Sequence, residues 1–167
     1  MKRKGQETED FLDSLHRTYR DTGRALLRKT GPEVYYRFDK ITKKRIIGAK
    51  RGPVDYEGVI LLNGIGHSVS FDAKQTARKL RMSLHSDHVP DHQKAFLMAR
   101  AEFGAVSFLF VTRIVDFHVT RFLYPVLHGN TDLVTDKSIK YSDMIKMPPS
   151  GDWLDWVIEN IWIWDVT

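Results

Sequence analysis

Residues 54–76 read VDYEGVILLNGIGHSVSFDAKQT, and the two apolar runs within them decide the fold. Val59-Ile60-Leu61-Leu62 and Val69-Ser70-Phe71-Asp72-Ala73-Lys74 are β-type runs, predicted as adjacent strands joined through the turn-forming Asn63-Gly64-Ile65-Gly66. Side chains alternate across a strand, so Val69, Phe71 and Ala73 share one face and Ser70, Asp72 and Lys74 the other. Asp55 stands just before the first strand. Two carboxylates supply hard oxygen ligands for a divalent cation, and a lysine beside them suits metal-assisted phosphodiester hydrolysis. An Asp-x-Lys pair alone is more often a solvated ion pair. The apolar Val69, Phe71 and Ala73 around it, and Asp55 in the turn opened by Gly52-Pro53, favour a site.

With 167 residues, 42% hydrophobic and 28% charged, the chain is expected to form one α/β domain over 1–167 with a core of useful size. No apolar run approaches membrane-spanning length, so no membrane partner is expected. Met1-Lys2-Arg3-Lys4 is charged but precedes no apolar segment, which predicts no secretory signal and a cytoplasmic protein, cellular or phage-encoded. The absence of cysteine excludes disulfides and thiolate metal sites.

The net charge of +5 is unevenly spread. Residues 37–51 hold Arg37, Lys40, Lys43, Lys44, Arg45, Lys50 and Arg51 against Asp39 alone, whereas seven acids oppose three lysines from Asn130 onward. A molecule polarised in this way presents a basic side to phosphates. The basic segment reads as a β-ribbon or extended arm that tracks phosphate, with a solvated lysine-rich loop as the bland alternative.

In chain order, Phe11, Leu12, Leu15, Tyr19, Leu26 and Leu27 predict a helix over 5–29, stopped by Gly31-Pro32. Residues 34–38 predict a strand. His85, His88 and His92 suggest zinc, but Pro90 interrupts any helix through them, so solvated histidines are expected. A second helix is predicted from about 91 to 103, with Ala95, Phe96, Met98, Ala99 and Ala101 for packing, ended by Gly104. Residues 105–111 predict a strand buried on both faces, and 117–123 its antiparallel neighbour. A short helix is expected over 138–146. The tryptophan-rich stretch 153–164 is expected to serve core or dimer packing, because its acidity disfavours stacking on nucleic acid.

Together these segments resemble the RecU-type Holliday junction resolvases of the PD-(D/E)xK nuclease superfamily. The matching residues are Gly5-x-x-x-Glu9, Val54-Asp55-Tyr56-x-Gly58-Val59, Phe71-Asp72-Ala73-Lys74-x-Thr76, His92-Gln93 and the apolar strand 105–111. The likeness runs from 5 to 113. Asp72 stands where the family usually has glutamate, and Gln75 replaces a common acidic residue. The resemblance implies a restriction-endonuclease-like mixed sheet flanked by helices, with a stalk corresponding to the basic ribbon. It implies an active site of Glu9, Asp55, Asp72 and Lys74 supported by Gln93, with Mg²⁺ or Mn²⁺ held by Glu9, Asp55, Asp72 and the carbonyl of Ala73. It further implies a homodimer acting on four-way DNA junctions, with other recombination proteins as partners. Arg78, Lys79 and Arg81 join the ribbon cations as expected DNA contacts. A nuclease acting on duplex or flapped DNA, and a non-catalytic recombination accessory module, are the alternatives.

Overall fold

A computed structural model of the chain describes residues 5–50, 52–160 and 163. Arg51, Trp162 and Trp164, and the side chain of Lys50, lie outside the described residues. The hairpin forms as β4 (Tyr56–Leu62) and β5 (Ile65–Thr76). Its turn is the two residues Asn63 (φ 50°) and Gly64 (φ 81°), a left-handed pair that matches the twist of antiparallel strands. Ile65 and Gly66 therefore belong to the strand rather than to the turn, and Leu62 pairs with Ile65.

Around this hairpin a sheet assembles in the order β1-β4-β5-β7-β8-β10. Here β1 is Ala25–Lys29, β7 Val106–Val115, β8 His118–Val126 and β10 Ile145–Lys146. The pair β5–β7 is parallel and the other pairings are antiparallel, so the sheet is mixed. A parallel pair needs a long crossover, and this one contains β6 (Arg81–Ser83) and α2 (Asp91–Glu102). The expected basic ribbon is present as β2 (Glu33–Asp39) paired with β3 (Lys44–Lys50), a separate two-stranded sheet.

Each face of the central sheet is covered. On one face α1 (Gln6–Asp21) and α4 (Trp153–Glu159) pack Leu12, Tyr19, Trp153 and Val157 against Tyr56, Phe71, Phe108 and Phe110. On the other, Leu97 and Ala101 of α2 meet Leu109 and Val111, with Leu133 of α3 (Asp132–Thr135) and Ile139 of β9 (Ser138–Lys140). The strand predicted from 105 is thus buried on both sides. Trp153 is fully buried in the core, 5.4 Å from the Phe71 ring and 5.6 Å from that of Tyr19.

Three further expectations are corrected. The first helix ends at Asp21 rather than at 29, because Gly23 (φ 70°) turns the chain. The Gly23 amide donates to the Arg20 carbonyl at 3.0 Å and the Arg24 amide to that of Tyr19 at 2.8 Å, a paired helix stop. The remainder becomes β1, where Leu26 is 66% exposed. The helix expected over 138–146 is instead β9, a 3-10 turn (Tyr141–Asp143) and β10, because the edges of β6 and β8 capture this segment. On α2 the buried face is Gln93, Lys94, Leu97 and Ala101, while Ala95 and Ala99 face solvent.

His16 of α1 is buried among aromatic rings, 5.1 Å from Tyr56 and 5.8 Å from Phe71, and its Nε2 has no hydrogen-bond partner. Burial lowers its pKa to about 4. The unfolded chain, with a histidine pKa of about 6.5, therefore binds more protons than the folded one between these values. Stability from this residue is fully present above pH 6.5 and should fall by about 3 kcal/mol as the pH drops towards 4. Chemical denaturation across this range, compared with His16→Leu, should show that slope in the parent and lose it in the variant.

Candidate active site

The site begins where β5 outruns β4. The last β4–β5 pair is Tyr56 with Phe71, so residues 72–76 of β5 pair with β7 alone. Asp55, one residue before β4, occupies the gap. Its Oδ2 accepts the Ala73 amide at 3.0 Å, and its carbonyl accepts the Thr30 amide at 2.8 Å. A residue's amide and carbonyl leave a strand on the same edge, so the Ala73 carbonyl borders the same gap.

Asp72 and Lys74 project from β5 toward α2, as the alternation predicts. Asp72 is fully buried. The Lys74 ammonium lies directly against its Oδ2, 3.9 Å from Asp55 Oδ2, and donates to Gln93 Oε1 at 3.1 Å. Gln93 is itself buried on the first turn of α2. Asp72 Oδ1 has no hydrogen bond. Burial pushes the Asp72 carboxyl well above the ordinary carboxylate range. Lys74 opposes this shift and the negative Asp55 adds to it.

Glu9, on the first turn of α1, lies in the same cleft, which has a volume of about 390 Å³ and includes Asp55, Lys74, Gln93 and His88 in its walls. Its Oε2 accepts from Lys29 Nζ at 2.6 Å. Thr8 Oγ1 donates to Gln75 Oε1 at 3.1 Å and so ties the start of α1 to β5. Lys29 and this tie are absent from the sequence-based site. Lys29 was hidden because its segment reads as helix. The Gly23 break and the alternation of Ala25, Leu27 and Lys29 against Leu26 and Arg28 were the available signals.

The oxygens around the gap fit a hard divalent cation. Asp72 brings a buried oxygen without a donor, Asp55 brings a second carboxylate close to it, and the Ala73 carbonyl could serve as a neutral ligand. Among the described residues no three acids or histidines converge closely enough to ligate one ion. Glu9 shares the cleft with Asp55 and is engaged by Lys29.

The expected DNA contacts fall in two places. Arg37, Lys40, Lys43, Lys44 and Arg45 are exposed on the β2–β3 ribbon, whose Pro32 and Gly52 base lines the cleft. Arg78, Lys79 and Arg81 are exposed just past β5. His85, His88 and His92 are exposed and form no metal cluster among the described residues.

A family model described as RecU, Recombination protein U, matches residues 3–147. The chain belongs to the RecU family. Comparison with curated proteins gave no match. The RecU match continues past residue 113, where the likeness read from sequence ended, through β8, β9 and β10, and stops before α4. As a member of this family the chain is a recombination protein. No helix among the described residues is long and apolar enough to cross a membrane.

Burial disfavours the charged Asp72 more than Lys74 favours it, and this costs stability. In a chelator, Asp72→Asn should therefore raise the thermal midpoint by a few degrees at neutral pH. The gain should vanish below the ordinary carboxylate range, where the parent Asp72 is protonated whether folded or unfolded. Scanning calorimetry at pH 7 and pH 3.5 checks both points.

Proposed function

We propose that this chain is a divalent-metal-dependent endonuclease that resolves four-way DNA junctions by paired symmetric cuts. The observation that carries the reading is the buried Asp72 carboxylate with an unpartnered oxygen, set beside Asp55 and Lys74 at the mouth of a cleft with a basic ribbon at its rim. Buried, strongly shifted carboxylates in a cleft point to chemistry more than to stability.

Asp55 and Asp72, with the Ala73 carbonyl, would hold Mg²⁺ or Mn²⁺, and Glu9 would stand nearby. A cation bound there supplies a water of lowered pKa and neutralises charge on the phosphate. The protein's own part is positional. Gln93 holds the Lys74 ammonium in place, so its charge is preorganised toward the cleft and costs little reorganisation during reaction. The Ala73 amide fixes the rotamer of Asp55, and Lys29 restrains Glu9. The ribbon cations Arg37, Lys40, Lys43, Lys44 and Arg45, with Arg78, Lys79 and Arg81, contact phosphates and give affinity without base readout. Two strands must be cut symmetrically, which suits a twofold homodimer presenting two sites.

The deciding assay is cleavage of a labelled immobile four-way junction in Mg²⁺ beside a linear duplex of the same sequence. Paired symmetric nicks on the junction alone are expected, absent in Asp72→Asn and slowed by about 10²–10³ in Lys74→Met. Cutting of plain duplex would point to a general nuclease, and tight binding with no cutting in either metal to an accessory role. Lys43, Lys44 and Arg45 changed together to alanine should weaken junction binding and lower its log–log salt slope by about 2–3. An unchanged slope would remove the ribbon from the interface.

A further inference from the structure

Beyond the ribbon, a second basic surface lies past the end of β5. Past Thr76 the chain leaves the cleft through Ala77 and Arg78 and enters β6. There Arg81 stands directly opposite Lys140 of β9. Like charges facing each other across an antiparallel pair cost stability. Beside them Arg113, at the register position of Thr76 on β7, is held in place by aromatic rings. Its guanidinium carbon is 5.1 Å from the Tyr141 ring centroid and 5.5 Å from that of Phe122, and its Nη1 donates to the Lys79 carbonyl at 3.1 Å.

Lys79, Arg81, Arg113 and Lys140 line a groove of about 440 Å³, with Leu80 and Tyr141 as its apolar wall. Some cations elsewhere are matched, Arg28 with Glu57, Lys29 with Glu9 and Lys94 with Asp91. Among the described residues, Arg81, Arg113 and Lys140 have no carboxylate within 4.0 Å. Lys79 has Asp116 at 3.8 Å, a pair exposed on both sides and of little worth. Four cations gathered with one weakly paired acid form a site that lacks its counter-ion.

We propose that this groove binds the phosphate backbone of a duplex arm as it leaves the cleft. The proposal rests on the nuclease reading above and adds Arg113 and Lys140 to it. A repeating anion fits better than a single one, because the surface is continuous. A depression lined by Lys74, Thr76, Arg78 and His88 begins at the cleft, and the groove starts at the next residue, Lys79. Lys79 is five positions beyond Lys74, at most about 18 Å of extended chain. Each strand of duplex carries one phosphate per about 3.4 Å of axis. The groove therefore meets the arm within about five nucleotides of the phosphate at the cleft.

The test is a fluorescence-anisotropy titration of a four-way junction and a linear 30-base-pair duplex at several salt concentrations. The proteins compared are Asp72→Asn as an uncut background, the same with Lys140→Gln, and the same with Lys140→Gln and Arg113→Gln. Each cation removed should weaken both DNAs about threefold to tenfold and lower the salt slope by about 0.9, leaving the preference for the junction unchanged. Lys140 is exposed, so its single variant carries the test even if Arg113→Gln loosens the Tyr141 wall. Parental affinity and slope on both DNAs would overturn the groove and leave an acidic protein as its alternative partner. A loss confined to the junction would also overturn it, since the surface would then read the branch and not an arm. Weakened duplex binding in Lys140→Gln, beside a parent chain that cuts no DNA, would uphold the groove and overturn the nuclease reading. Cutting with unaffected binding would do the reverse.

Discussion

Asp72 places a carboxylate where water does not reach it, and much of the molecule is arranged around that cost. It stands on the longest strand of the sheet, paired with β7 on one edge and covered by α2 on its face. The Lys74 ammonium offsets part of the charge, and Gln93 fixes that ammonium. Apolar residues at positions 72 and 74 together would avoid the cost, since buried ion pairs are seldom the most stable solution. On the proposed function, the arrangement is preorganisation for a bound charge, where β4 stops short and leaves polar backbone to line a gap.

Rigidity on the opposite face supports that gap. Tyr56, Phe71 and Phe108 stack in sequence across three strands, with centroids 5.0 and 4.6 Å apart, and Trp153 closes over them. Asp55 and Asp72 flank this stack in sequence, so packing of the rings fixes the spacing of the carboxylates. The same face seats α1, which brings Glu9 to the cleft, and α4 is joined to it by the Tyr19 hydroxyl, which donates to Asp152 at 2.6 Å. One side of the sheet thus holds the geometry while the other carries the charge.

Electrostatics divides the surface similarly. The ribbon cations lie on a separate two-stranded sheet, and the groove cations Arg81, Arg113 and Lys140 lie on β6, β7 and β9. The two sets lie on different elements, and on the proposed function a ligand with a repeating charge would be held by both. A single small anion would use only one of them.

The hairpin, Asp72 and Lys74 on one face, the doubly buried strand from 105 and the basic ribbon were all legible in the sequence. Each depends on local alternation, a turn dipeptide or a charge run, and these act over a few residues. The end of α1 was misread because Leu26 and Leu27 continue a helical spacing, although Gly23 had already ended the helix. Lys29 was lost with it. The segment 138–146 became strand and turn because distant edges, β6 and β8, captured it. The pairing of Arg81 with Lys140 and the seating of Arg113 between two rings have the same origin. Neighbours in the chain determine which residues can form a strand or a turn. Which strand edge is left open, which charge is buried and which is left unpaired are decided only when segments far apart in sequence compete for the same partners.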